Sequence, residues 1–187
     1  MLNYNSSIKK AKSYIGLTIK EIYPIMKLNV RGKSRDFLST IGKNINMILP
    51  MESNTSSSSD KYTSMWLSPD EWMVVSNNTT DEENNNYEIE DLLFNKISKN
   101  NLGAVIDVSD QFVLINLKGE KVFDLLSTGC PLDFGSFKTK KGAVAQTLLA
   151  QVDIIIHHRE LNDVNLFVRR SFSEHLVSWI NDAASRL

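Results

Sequence analysis

The sequence predicts an α+β protein made of two lobes that share one β-α-β-β-α order. Three observations predict it: a strand-like segment ending in glycine that occurs twice, strand-like runs gathered about turn residues in each half, and a helical period closing each half. Leu28-Asn29-Val30-Arg31-Gly32 aligns without gaps on Ile115-Asn116-Leu117-Lys118-Gly119. An amphipathic segment follows each, through Leu38 to Gly42 in the first and through Leu125 to Gly129 in the second. The spacing predicts strand, tight glycine turn and helix in both halves.

The remaining elements follow in order. Met65-Trp66-Leu67 and Trp72-Met73-Val74-Val75 flank Ser68-Pro69-Asp70-Glu71, a turn composition that predicts a β-hairpin. Ile89, Leu92, Leu93 and Ile97 recur at helical spacing and close the first half. In the second half, Val144 to Ala150, Val152 to His158 and Val164 to Val168 read as strands, and Phe172, Leu176, Trp179, Ile180 and Ala183 read as the closing helix. Ser171 with Glu174 predicts a capping box, in which each side chain bonds the other residue's backbone N–H. Val113-Leu114-Ile115 and Ile154-Ile155-Ile156 read as central strands covered on both faces. Ser53 to Asp60 and Asn77 to Asn86 are polar and aperiodic and read as surface loops, and their Asn-X-Ser/Thr matches at Asn54 and Asn77 read as accidents of composition. The predicted organisation is a tail over residues 1–17, a first lobe over 18–104 and a second over 105–187, together one compact unit.

Composition narrows the function classes. In 187 residues, 21 basic and 22 acidic side chains nearly cancel, which argues against nucleic acid and against an anionic membrane surface as partners. The single cysteine, Cys130, excludes an intrachain disulfide and suits a reducing compartment, so the cytoplasm is expected. Met1 to Lys12 lacks the apolar stretch of a signal peptide, and no apolar run approaches the roughly 18 residues of a membrane span. Eight scattered glycines form neither G-x-G-x-x-G nor a Walker loop, so no dinucleotide or flavin site is expected in this chain.

Few side chains carry chemistry. Cys130, between Gly129 and Pro131, needs a neighbouring histidine to act as a nucleophile and reads instead as a small buried hydrophobe. His157 and His158 are adjacent on a strand, so their imidazoles point to opposite faces and do not converge on one metal ion. His175 falls at the edge of the last helix and reads as solvated. Asp107-Val108-Ser109-Asp110 reads as a turn whose side chains satisfy backbone N–H groups. Arg169 and Arg170 alternate in direction; one is expected to pair with a turn aspartate and the other to clamp a partner, which makes both interface candidates.

Leu28 to Gly32, Trp66 to Trp72, Asp107-Val108-Ser109-Asp110-Gln111, Thr128-Gly129-Cys130-Pro131-Leu132-Asp133, Ala145-Gln146-Thr147 and Val168-Arg169-Arg170-Ser171-Phe172 occur in that order. With these segments the chain, from Thr18 to its C-terminus, resembles the gamma subunit of heterotetrameric sarcosine oxidase. That family is similar to the folate-binding half of the glycine-cleavage aminomethyltransferase, without its C-terminal barrel. The resemblance implies a non-catalytic subunit with a role in assembly and stability. The enzyme oxidises sarcosine to glycine, with tetrahydrofolate accepting the methyl carbon or formaldehyde released, and forms peroxide. It implies alpha, beta and delta subunits as partners, with FAD, FMN, NAD, tetrahydrofolate and zinc in those chains and no cofactor in this one. The alternative it leaves open is a free-standing folate-binding protein of the aminomethyltransferase type, with Asp107 or Asp110 near the pterin.

Overall fold

The computed structural model describes residues 5–79 and 88–187. In chain order the first half holds β1 (Lys12–Tyr14), β2 (Leu17–Glu21), β3 (Lys27–Arg31), α1 (Arg35–Ile45), β4 (Ser56–Ser58), β5 (Tyr62–Ser68), β6 (Glu71–Ser76), α2 (Glu88–Leu93) and β7 (Ala104–Asp107). A π-helical turn, Phe94–Ser98, continues α2. The second half holds β8 (Phe112–Lys118), α3 (Val122–Ser127), α4 (Phe134–Phe137), β9 (Val144–Leu149), β10 (Val152–Glu160), β11 (Asp163–Arg169) and α5 (Arg170–Ala184). The chain separates into two units, Pro24–Asp110 and the segment ending at Tyr23 together with Gln111–Leu187.

Pro24–Asp110 carries a five-stranded sheet in the order β4-β5-β6-β3-β7. In β3, Leu28 and Val30 are fully buried in the core that holds Phe37, Ile41 and Ile45 of α1, while β6 and β7 pair with the strand antiparallel on either side. Helix α1 begins at Ser34, whose Oγ accepts the Phe37 N–H at 3.0 Å, and carries Asp36 in its first turn and Lys43 in its last, each favoured there by the helix dipole. Phe37, Ile41 and Ile45, one turn apart, form its buried stripe. The glycines serve Phe37: a Cβ on Gly32 would lie 2.6 Å from its ring, and one on Gly103 would lie 2.8 Å from it. The predicted hairpin is β5–β6, with Ser68 opposite Glu71 and Trp72 donating Nε1–H to Pro50 O at 2.7 Å.

The other unit carries a six-stranded sheet, β1-β2-β8-β11-β10-β9, antiparallel throughout. Ile115, Ile156 and Leu166 present one face to Leu125, Leu176 and Ile180 of α3 and α5. At the end of β8, Gly119 adopts φ 134°, and a Cβ there would lie 2.2 Å from Gly16 O, so no side chain fits.

The structure corrects three expectations. Thr18 to Glu21, expected in the first lobe, belong to β2, which pairs with β8 through Ile19 opposite Leu117, whereas β7, which leads into β8, pairs with β3. The divisions therefore fall after Tyr23 and Asp110 rather than at 18 and 105. Periodicity identifies a strand and its buried face but not its neighbour. Ser53 to Asp60 is not all loop, because Ser56–Ser58 forms an edge strand on β5, with the Ser58 and Thr63 hydroxyls 2.9 Å apart. The capping box does not form: β11 runs directly into α5, Arg169 is the cap residue without a side-chain bond, and the Arg170 N–H is met by Gln111 O at 2.9 Å. Ser171 is already inside the helix and exposed. Residues 80–86 of the expected Asn77 to Asn86 loop lie outside the described residues, while the Asn77 side chain is bonded to Thr63 Oγ1 and Ser59 O, each at 2.7 Å. Among the described residues no helix is long and apolar enough to cross a membrane.

Candidate functional site

Side chains alternate across β8, β9, β10 and β11, so every second residue stands on the sheet face away from α3 and α5. The register lays these out in rows. Gln146, Ile155, Phe167 and Leu114 form one, and Val144, His157, Asn165 and Asn116 the next. The pairs Leu148–Asp153 and Phe112–Arg169 end the face and border a groove of about 380 Å³ floored by Ile155 and Phe167. Arg169 is exposed here, its guanidinium 6.0 Å from the Phe112 ring centroid, a cation–π approach. The two arginines thus diverge: Arg169 lines this groove, and Arg170, half-buried, starts α5.

Deeper on the same face lies a polar cluster. Asn116 donates to Asp163 Oδ1 at 2.7 Å and to Asn165 Oδ1 at 3.0 Å, and Arg159 and Lys118 stand 3.7 and 4.0 Å from the Asp163 carboxylate. In the other unit Asn29 donates to Glu71 at 2.6 Å, and Arg31 stands 3.9 Å from the same carboxylate. His157 adjoins this cluster, and burial, with Arg159 and His158 adding to it, pushes its imidazole down to about 4. It is neutral at physiological pH.

The remaining reactive groups are tied into structure. His158 faces the helical side, donates Nδ1–H to Lys140 O at 2.8 Å and meets the Phe123 ring edge-on at 5.5 Å. Cys130 is buried with its thiol 3.7 Å from Thr147 Oγ1. His175 lies exposed on α5. Asp107 and Asp110 are both exposed, and Asp107 Oδ1 accepts the Ser109 N–H at 2.8 Å, an Asx turn. Asp107 also helps burial and Asp91 to raise the Glu90 carboxyl above its ordinary value.

The side chains of Asp107 and Ser109 both accept backbone N–H groups, as the turn reading expected, but sequence reasoning missed the partner of Ser109. Ser109 is buried, and its Oγ accepts the Lys27 N–H at 2.9 Å. Lys27 is itself only 2% exposed, with Nζ donating to Ile25 O at 3.0 Å. A lysine at a strand end reads as solvated, and only the Lys27–Ser109 contact across 82 residues reveals otherwise.

The model of the sarcosine oxidase, gamma subunit family matches residues 31–186, from the end of β3 through α5. The chain belongs to that family. A curated relative, sarcosine oxidase subunit gamma of Corynebacterium sp. (strain U-96), is 27% identical over 121 residues, 65% of this chain and 55% of the relative. The chain thus spans about half of that relative's length. Among solved structures, heterotetrameric sarcosine oxidase from Corynebacterium sp. U-96 in complex with pyrrole 2-carboxylate superposes with a TM-score of 0.80, covering 91% of this chain and 84% of that one at 22% identity. Glycine cleavage system aminomethyltransferase T from Bartonella henselae superposes with a TM-score of 0.63, covering 88% of this chain and 45% of that one at 16% identity. The α+β fold of this gamma subunit family member is the fold of both.

Proposed function

We propose that the chain is the gamma subunit of a heterotetrameric sarcosine oxidase, serving assembly and stability without a catalytic group of its own. The family match over residues 31–186 carries this reading, because it spans strands and helices of both units rather than one motif. The complex so formed oxidatively demethylates sarcosine to glycine, with tetrahydrofolate as acceptor of the methyl carbon. Its alpha, beta and delta subunits are the partners and hold the FAD, FMN, NAD, folate and zinc. Cys130, His157, His158 and Asp107 support a structural role because each is buried or engaged in a contact that shapes the fold. A free thiol fits a cytoplasmic complex. Arg169 and Arg170 are the proposed interface residues, Arg169 being exposed at the groove rim.

A folate-binding role for the chain alone is the second reading, supported by the likeness to aminomethyltransferase T. Asp107 weighs against it as a pterin ligand, since its carboxylate already holds the Ser109 N–H. Co-expression with the alpha, beta and delta chains tests the first reading. The chain should co-purify with flavin-bearing partners, and Cys130→Ser, His158→Asn, Asp107→Asn and Asp110→Asn should each keep turnover within about tenfold in intact complex, where loss of a true acid or base costs a hundredfold or more. A variant that leaves the complex whole yet abolishes turnover refutes the non-catalytic role. Saturable thermal stabilisation of the isolated chain by tetrahydrofolate, lost in Asp107→Asn or Asp110→Asn, establishes the second reading instead.

A further inference from the structure

Helix α1 presents a second stripe besides its buried one. Arg35, Leu38, Gly42 and Lys43 follow one another along it and form one wall of a groove of about 590 Å³, whose other wall is the chain leaving the helix as far as Met51. Gly42 leaves the groove bare of side chain at its middle, and a Cβ there would come within 2.9 Å of Met47 O. Ile48 is 84% exposed and Met51 63% exposed, two large apolar side chains flanking one open channel. Contiguous exposed apolar surface of this kind marks interaction sites, and methionine at its edge adapts to a partner's shape.

The charges select the partner. Among the described residues, the ionisable side chains lining the groove are Arg35 and Lys43; both are exposed, and neither forms an ion pair there. They lie eight positions apart on the helix, about 12 Å along its axis at 1.5 Å per residue. We propose that this groove docks an acidic amphipathic segment of a larger subunit of the complex, with apolar side chains against Leu38, Ile48 and Met51. Two carboxylates about two helical turns apart then meet Arg35 and Lys43. The proposal rests on the assembly reading above and adds the surface and the chemistry of its partner.

The test compares wild-type chain with the Arg35→Glu, Lys43→Glu double variant and with Ile48→Asp, each measured for binding to the co-expressed larger subunits at low and high salt. Each is also melted alone, since all three positions are exposed and the variants should melt like wild type. Wild-type affinity should fall with salt, both variants should bind at least about tenfold more weakly, and the double variant should lose the salt dependence. Folded variants that bind like wild type overturn the groove while leaving the assembly reading intact. A wild-type chain that binds none of the larger subunits overturns both. A wild-type self-association that the groove variants abolish shows a second copy as the occupant and also overturns the proposal.

Discussion

A charged imidazole at position 157 would lose most of its hydration, which is why burial pushes His157 down to about 4 from 6.5. Between those values the unfolded chain binds a proton that the folded chain does not. The contribution of neutral His157 to stability is therefore complete above about pH 6.5 and falls away as the pH drops toward 4. The full loss is on the order of 3 kcal/mol at 1.36 kcal/mol per unit. Thermal melts of wild type and His157→Phe should separate in that window, the wild type losing stability with acid more steeply; parallel pH profiles would disprove the assignment. At this scale the alternation of the two histidines and the turn at Asp107 were legible, because both depend on neighbours in sequence. The Lys27–Ser109 contact and the Asn116–Asp163 cluster were not, because they depend on pairing of strands far apart in the chain.

At the scale of elements, helix starts differ in what holds them. Ser34 bonds the Phe37 N–H and caps α1, so Ser34→Ala should cost about 1 kcal/mol in chemical denaturation. Ser171 caps nothing, and Ser171→Ala should stay within about 0.5 kcal/mol of wild type. Equal losses would restore the capping box that the sequence suggests. Ser-x-x-Glu is a sound start signal when a loop precedes the helix; here β11 leads straight in, and Gln111 takes over the cap's work. The β5–β6 hairpin was legible from Ser68-Pro69-Asp70-Glu71, a local signal. Strand β4 was not, because Ser56-Ser57-Ser58 has neither apolar alternation nor β-branched residues and owes its form to the edge of β5.

For the whole molecule, fold class was legible because strands and helices alternate in both halves, and the family because its segments are spread along the chain. The grouping of strands into sheets was not. The unit Pro24–Asp110 is continuous in sequence, and expressed alone it should fold cooperatively. Residues 111–187 alone should not, because Leu17 and Ile19, 3% and 0% exposed, are missing from their core and β8 is left with an open edge. Adding a peptide of residues 1–23 in trans should restore a cooperative melt. Independent folding of residues 111–187 without it would contradict the pairing of β2 with β8.

That pairing also sets an order of events at the ribosome. Synthesis delivers β1 and β2 first, yet their partner β8 emerges only after the whole of Pro24–Asp110 has been made, with Ile19 waiting for Leu117. The continuous unit can close while the chain is still growing, but β2, paired only with β1, must wait for its other neighbour until β8 arrives in the last two fifths of the 187 residues. Residues made before Pro24 thus find their place after residues made later, and nascent-chain arrest before Phe112 should leave Leu17–Glu21 open to a protease that the finished protein resists.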